Sequence, residues 1–334
     1  MWLRFSLSIS VYLVSTLAFA SPLNFPGDTL AKGQQFASSA MSMGDWHYSG
    51  DYIGVATVEE KENSQRGIVG TTNNGYSFST VLNYLYGFNE DISIGVRYGY
   101  RFDKEDSDIE GTQAPGLQGE LKSEGGTDVS LLGVYRLTDG VAVSVDVVLP
   151  MCSASAASSV CNSEPSKPKN TVSTGQSGGQ GNGYYQVNGE LAANWLSEDD
   201  ERWFARLFSS ITMSDQVFGN KASSPFVYGF GVGHAYSMGD GHNLISQFKL
   251  TRALQYSAYS EQVQSEVRYS EQSSLGFKPE YVWNWLPTVQ LRPFVDVSIV
   301  QHPNMKFVSN DVDRSLEYTG GTYVTLGAQI RASF

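Results

Sequence analysis

Charge, cysteine and long apolar runs are all scarce in this chain, and each scarcity excludes something. Asp, Glu, Lys and Arg make up 17% of 334 residues, and acids outnumber bases for a net charge of −12. Such a chain repels a polyanion, which excludes nucleic acid as a partner and excludes purely electrostatic docking on acidic lipid. Cysteine occurs twice, as Cys152 and Cys161 in CSASAASSVC. With no His or further Cys beside them, the expectation is a local disulfide that closes a small loop, and no metal site. The one long apolar run, MWLRFSLSISVYLVSTLAFA, has Arg4 near its start and the small-x-small triplet Ala18-Phe19-Ala20 at its end. That is the pattern of a secretory signal, and no later run suffices for a transmembrane helix. The acidic stretch DKEDSDIE, Asp103 to Glu110, lacks the glycine-punctuated spacing of a calcium loop and reads as solvated. No metal or cofactor is expected.

Glycine and aromatics are abundant, with 34 Gly, 19 Tyr, 17 Phe and 6 Trp. Such a chain is too aromatic for disorder, and its apolar residues recur with period two. In ISIGVRYGYRFD, Ile92, Ile94, Val96, Tyr98, Tyr100 and Phe102 share one face, while Gly95, Arg97, Gly99, Arg101 and Asp103 share the other. The same alternation marks Tyr76 to Phe88, Asp128 to Leu137, Val141 to Leu149, Tyr184 to Leu196, Trp203 to Ser214 and Phe226 to Met238. It continues in Leu244 to Tyr256, Ser273 to Trp285, Val289 to His302 and Thr322 to Phe334, and a weaker first strand is expected within Trp46 to Glu59. The total is twelve strands.

Connections alternate between tight and long. Asn89 to Asp91, Thr138 to Gly140, Ser197 to Glu201, Gly239 to Gly241 and Pro287 carry turn chemistry. Lys61 to Gly75, Lys104 to Gly126, Cys152 to Gly183, Val217 to Pro225, Ser257 to Gln272 and Asn304 to Gly320 read as long loops. Each tight turn fixes a register, placing Tyr86 opposite Ile94, Tyr135 opposite Val143, Trp195 opposite Trp203, Tyr236 opposite Leu244 and Trp283 opposite Leu291. Aromatics on the apolar face gather near the short turns: Tyr84, Tyr86, Phe88, Tyr135, Trp195, Trp203, Tyr236, Trp283, Trp285 and Phe334. A soluble sandwich would leave them in water or cover them with a charged face.

These patterns predict an all-β fold, a transmembrane antiparallel up-and-down barrel in the cell outer membrane, with short periplasmic turns and long extracellular loops. The expected organisation is a signal peptide at 1–20, a short periplasmic segment at 21–45 able to plug the lumen, and the barrel at 46–334. Lipid bilayer and lipopolysaccharide are expected partners, with Arg252 on the lipid face near the extracellular end. Phe334, closing an alternating strand, is expected to be the insertion signal read by the outer-membrane assembly machinery.

The polar face then lines a lumen with Arg97, Arg101, Arg136, Arg206, Lys249, Lys278, Arg292 and Arg331 against Asp103, Asp128, Asp146, Glu190, Glu280 and Asp296. Lys278 is expected to face Asp296, with Glu280 diagonal to Arg292 and Glu190 diagonal to Arg206. Arg97 and Arg101 face Asn83 and Ser79, so no acid on that strand answers them, and they are expected to favour anions. The alternative is that the lumen charges satisfy one another and only keep the interior hydrated.

The stretches NYLYGFNEDISIGVRYGYRF and GTDVSLLGVYRLTDGVAVSVDVVLP, within Asn83 to Pro150, resemble the transporter family named for the MetA pathway of phenol degradation. The resemblance implies transport without naming a substrate. The function expected is therefore passive diffusion of small solutes, anionic or aromatic, through a polar charged lumen. A receptor or adhesin barrel with a plugged lumen is the alternative, and a membrane enzyme is a further one. No catalytic residue is assigned: His47, His234 and His242 lie off the lumen, and His302, which faces inward, has no nearby serine of motif quality.

Overall fold

The computed structural model describes residues 25–54, 69–110, 117–150, 185–197, 201–213, 216–217, 220–222, 226–260, 265–301, 304–308 and 313–334. The chain forms a closed antiparallel barrel of twelve strands. They are β1 (Gln35–Gly54), β2 (Val69–Gly87), β3 (Ile92–Glu110), β4 (Leu117–Gly126 continued by Val129–Thr138), β5 (Val141–Leu149) and β6 (Gln186–Leu196). β7 (Arg202–Thr212), β8 (Phe226–Gly239), β9 (His242–Ala253 continued by Tyr256–Ser260) and β10 (Ser265–Tyr269 continued by Gln272–Leu286) follow. β11 (Val289–Gln301 continued by Met305–Val308) and β12 (Asp313–Tyr318 continued by Gly321–Ser333) complete the wall. β12 pairs with β1 from Phe36↔Ser333 to His47↔Thr322, so no open edge remains there.

All five hairpin registers read from the tight turns occur: Tyr86↔Ile94, Tyr135↔Val143, Trp195↔Trp203, Tyr236↔Leu244 and Trp283↔Leu291. In one turn Gly239, Asp240 and Gly241 all have positive φ, at 83°, 50° and 79°, a backbone that glycine adopts without a Cβ clash. The girdle aromatics are all exposed on the outer face, from Tyr86 at 37% to Phe334 at 63%. A closed barrel satisfies its backbone internally, and an apolar outside needs lipid against it; the protein resides in the outer membrane.

Two expectations are corrected. The first strand begins at Gln35 and not within Trp46 to Glu59, so the barrel starts well before residue 46. Its two faces differ little in polarity: Ser38, Ala40, Ser42 and Gly44 point inward, and Ala37, Ser39, Met41 and Met43 outward. Alternation of small residues against small residues carries little signal. Parts of the expected long loops are also strand, since β3 runs on to Glu110 and β4 starts at Leu117. Residues 1–24, the Cys152 to Cys161 stretch and His302 lie outside the described residues.

Candidate functional site in the barrel lumen

The lumen is layered. Near the short turns its inward side chains are apolar. Leu85, Leu132, Val134 and Ala142 cluster with Phe36 and with Leu30, which precedes the first strand. Across the barrel, Phe204, Ala235, Ile245 and Val282 form a second cluster, and Phe25 packs against it. Residues 25–34 thus lie across the periplasmic mouth. Arg202 stacks over the Phe25 ring, 4.6 Å from its centroid, and also lies 3.7 Å from Asp28. Asn194 Nδ2 donates to the Pro26 carbonyl at 2.8 Å and to Asp28 Oδ1 at 3.1 Å, and the Leu30 amide donates to Ser93 Oγ at 3.3 Å. Burial pushes the Asp28 carboxyl above its ordinary range, opposed by the Phe25 amide and Arg202. A cavity of about 280 Å³ remains between this segment and the rim, lined in part by Asp28, Arg136, Asn194 and Arg202.

Above this floor comes the charged tier, made of residues that alternation aimed inward. Glu190 and Arg206, diagonal on β6 and β7, lie 3.6 Å apart with both side chains buried. On β10 and β11, Glu280 accepts from Arg292 at 3.0 Å and meets Lys278 at 3.2 Å. Arg292 is 2% exposed, and its Nε and Nη2 also donate to Gln290 at 3.0 and 2.7 Å. Arg331 is buried and donates to Gln329 at 2.9 Å, and Lys249 sits 5.2 Å from the Phe208 centroid. Arg136 lies at the rim, bonded to Asp91 at 3.1 Å, and Asp128 is buried.

Three expected facings hold, but the ion pairs made from them differ from those expected. Lys278 binds its own-strand neighbour Glu280 and lies 4.2 Å from the Phe294 centroid, while Asp296 accepts from Ser298 at 3.3 Å. Between β10 and β11 the paired positions are Phe277↔Val297, Glu280↔Phe294 and Trp283↔Leu291, with the ladder interrupted around Pro279 and Pro293. Proline has no N–H to give the ladder, but the register is the same on either side of the interruption, so Lys278 does stand opposite Asp296 while its ion pair is made with Glu280. Arg97 and Arg101 do face Asn83 and Ser79, but neither lacks an acid. Arg97 donates to Asn83 at 2.7 Å and to Asp146 on β5 at 3.0 Å, and Arg101 donates to Asp103 on its own strand at 2.8 Å. A barrel curves, so a long side chain reaches past its hairpin partner.

The lumen wall is also lopsided. On β6 and β7 the inward positions Gln186, Asn188, Glu190, Ala192, Phe204, Arg206, Phe208 and Ser210 are all buried. On β12, β1 and β2 the inward positions at mid-height are small and half-buried: Thr325, Gly327, Ser42, Gly44, Ser77 and Ser79. Ser42 and Ser79 share a hydrogen bond of 2.8 Å, and a Cβ at Gly44 would stand 2.8 Å from Ser77 Oγ. Toward the extracellular side this stripe ends under an aromatic cluster that alternation did not single out. Trp46 Nε1 and Tyr48 Oη donate to Glu105 at 3.2 and 2.9 Å, the Trp46 ring lies over Gly75, and Tyr323 stacks on it at 6.2 Å.

The described histidines lie off the lumen. His47 bonds Asn74 at 2.6 Å, His242 bonds Tyr281 at 2.7 Å, and His234 bonds Glu201 at 2.7 Å beside Trp203. Arg252 is exposed on the outer face and bonds Glu271.

No protein-family model matches the sequence, and no match is found among curated proteins. Among solved structures, an outer membrane channel from Pseudomonas putida F1 is 12% identical, with a TM-score of 0.46 over 94% of this chain and 100% of that one. A FadL homologue from Pseudomonas aeruginosa is 9% identical, with a TM-score of 0.40 over 89% and 90%. The outer membrane protease OmpT from Escherichia coli is 10% identical, with a TM-score of 0.36 over 92% and 100%. A fold alone does not fix a function, which has to be argued from the lumen.

Proposed function

We propose that this barrel is an outer-membrane channel for passive diffusion of small polar solutes, with a path along the small-residue stripe of β12, β1 and β2 and a stopper formed by residues 25–34. The observation that carries this reading is the half-buried row Thr325, Gly44, Ser42, Ser77 and Ser79, in contrast to β6 and β7, whose inward side chains are all buried. Hydroxyls and backbone along such a path hydrogen-bond a solute without holding it strongly, which conduction requires. The resemblance of Asn83 to Pro150 to the MetA-pathway transporter family supports the same reading. With Arg97 and Arg101 both bound to carboxylates, strong anion preference is not part of it.

The test is conductance in a planar bilayer. The wild-type chain conducts weakly, and Phe25→Ala with Leu30→Ser, which removes the two apolar anchors of the stopper, raises conductance several-fold. If both proteins insert and neither conducts, the barrel is a receptor and the channel reading falls. Equal conductance of the two overturns the stopper alone.

A further inference from the structure

A lumen that opens freely to the outside is wet at its outer end, and this one is dry there. On β1 the inward side chains pass from half-buried to buried between Gly44 and Trp46, and on β2 between Ser77 and Gly75. On β3 the change falls between Arg101 and Asp103, and on β11 between Ser298 and Val300. On β12 it comes after Tyr323, since Gly321 and Tyr318 are buried. The apolar band of such a wall is about 25 Å tall and its strands climb roughly 2.5 Å per residue, so on β3 the band runs about ten residues from Ile92. The change thus falls at the outer edge of the membrane. The small-residue stripe leads upward into a zone that excludes water.

Register shows what fills that zone. Tyr323, Trp46, Gly75 and Glu105 form one row across β12, β1, β2 and β3. The Trp46 indole lies against the bare backbone of Gly75, where a Cβ would overlap it, and its Nε1 donates to Glu105 at 3.2 Å on the far side. Tyr323 stacks on the indole with the ring planes 21° apart, and is itself half-buried. One row up, Tyr48 donates to the same carboxylate at 2.9 Å and meets the Tyr318 ring edge-on at 5.6 Å. Hydrogen bonds to a carboxylate are stronger than neutral ones, and a buried carboxylate stripped of its donors is costly. Trp46 is therefore held flat to the wall, by a missing side chain behind it and an acid beyond it. Tyr323 is the layer nearest the path.

We infer that Trp46 and Tyr323 form the extracellular constriction of the path and set the largest solute that passes, with Gly75 and Glu105 as positioning residues that keep the indole against the wall. The inference rests on the channel reading above. Bulky rings narrow a path sterically and expel water from it, whereas the hydroxyls and backbone below them do neither. Removing the periplasmic stopper then leaves a conductance that this constriction limits. A change that lifts the indole off the wall narrows the path further, because Tyr323 moves with it.

The experiment uses the full chain carrying Phe25→Ala and Leu30→Ser, with conductance read in a planar bilayer and uptake of arabinose and raffinose read by swelling of proteoliposomes. Trp46→Ala raises conductance several-fold and raises the ratio of raffinose to arabinose uptake by a similar factor. Gly75→Ala, whose added Cβ displaces the indole, lowers conductance, and Glu105→Leu lowers it and adds rapid current fluctuations from the freed ring. Adding Trp46→Ala to either abolishes its effect, which a general loosening of the wall would not do. Heat-modifiable electrophoretic mobility verifies that each variant is folded. The constriction is overturned, and the channel reading kept, if the parent chain conducts and Trp46→Ala leaves its conductance and uptake ratio unchanged, or if Gly75→Ala and Glu105→Leu act equally without Trp46. If neither the parent nor Trp46→Ala conducts, the channel reading falls and the constriction falls with it.

Discussion

At mid-height, β6 and β7 turn Glu190, Arg206, Phe208 and Ser210 into the barrel, all buried, while β12, β1 and β2 turn in Thr325, Ser42, Ser77 and Ser79, all half-buried. Both walls belong to one closed sheet. On the first, large charged side chains satisfy one another and exclude water, which makes the pairs indispensable once formed. On the second, side chains too short to cross the lumen leave room beside them. The comparison teaches that lumen polarity takes two forms in this barrel, buried ion pairs on one wall and short half-buried hydroxyl side chains on the other, and that side-chain length separates them.

The largest expected effect breaks the packed wall. Arg206→Leu leaves Glu190 as a buried carboxylate without its guanidinium and costs about 3–5 kcal/mol, read as a lower denaturant midpoint for the folded barrel in detergent. Adding Glu190→Leu restores much of that loss. Ser42→Ala on the open wall removes one hydrogen bond to Ser79 and costs about 1 kcal/mol or less in the same measurement. If Arg206→Leu and Ser42→Ala cost the same, the contrast between the walls is not energetic.

A second effect sharpens the comparison by filling the path. In the chain carrying Phe25→Ala and Leu30→Ser, Ser42→Trp or Ser79→Trp lowers single-channel conductance several-fold, whereas Ser210→Ala on the packed wall leaves it within the scatter. Smaller still is the selectivity shift. Arg97→Ala with Arg101→Ala exposes Asp146 and Asp103 to the lumen and moves the reversal potential in a salt gradient toward cations. Lys278→Ala with Asp296→Ala removes one charge of each sign and moves it little.

The smallest effect concerns pH. Burial raises the Asp28 carboxyl when the segment is docked, so the docked form holds that proton more tightly than the free form. Docking is therefore favoured as pH falls and weakened as pH rises through the raised range, and wild-type conductance should drop modestly on acidification. Asp28→Asn should remove that dependence; an unchanged pH profile in Asp28→Asn would place the titration elsewhere.

Eleven strands were legible because period-two alternation and turn chemistry agree wherever one face is apolar, as Ile92 to Phe102 illustrates. β1 was not, because Ser38, Ala40 and Ser42 inside face Ala37, Ser39 and Met41 outside, a contrast too weak to set a phase. In the lumen, parity gave each charged residue a face but not its partners, as Arg97 and Arg101 illustrate. Hairpin facing covers only adjacent strands, and Asp146 stands two strands beyond Arg97, brought near by curvature that no local pattern encodes. The Trp46, Tyr48 and Glu105 cluster was missed for a related reason: Trp46 crosses Gly75 to reach β3, and only the absent Cβ at Gly75 allows it.

The seating of residues 25–34 also sets an order of events. Asn194, which holds Pro26 and Asp28, lies 168 and 166 positions along the chain from them, and Ser93, which holds Leu30, lies 63 positions away. The surfaces that receive Phe25 come from β7 to β10 and do not exist until those strands have met. Contacts so distant along the chain form late, after the loop entropy of the intervening strands has been spent. The barrel is thus assembled with its mouth open and is stopped afterwards, by the stretch of chain made before any of its walls.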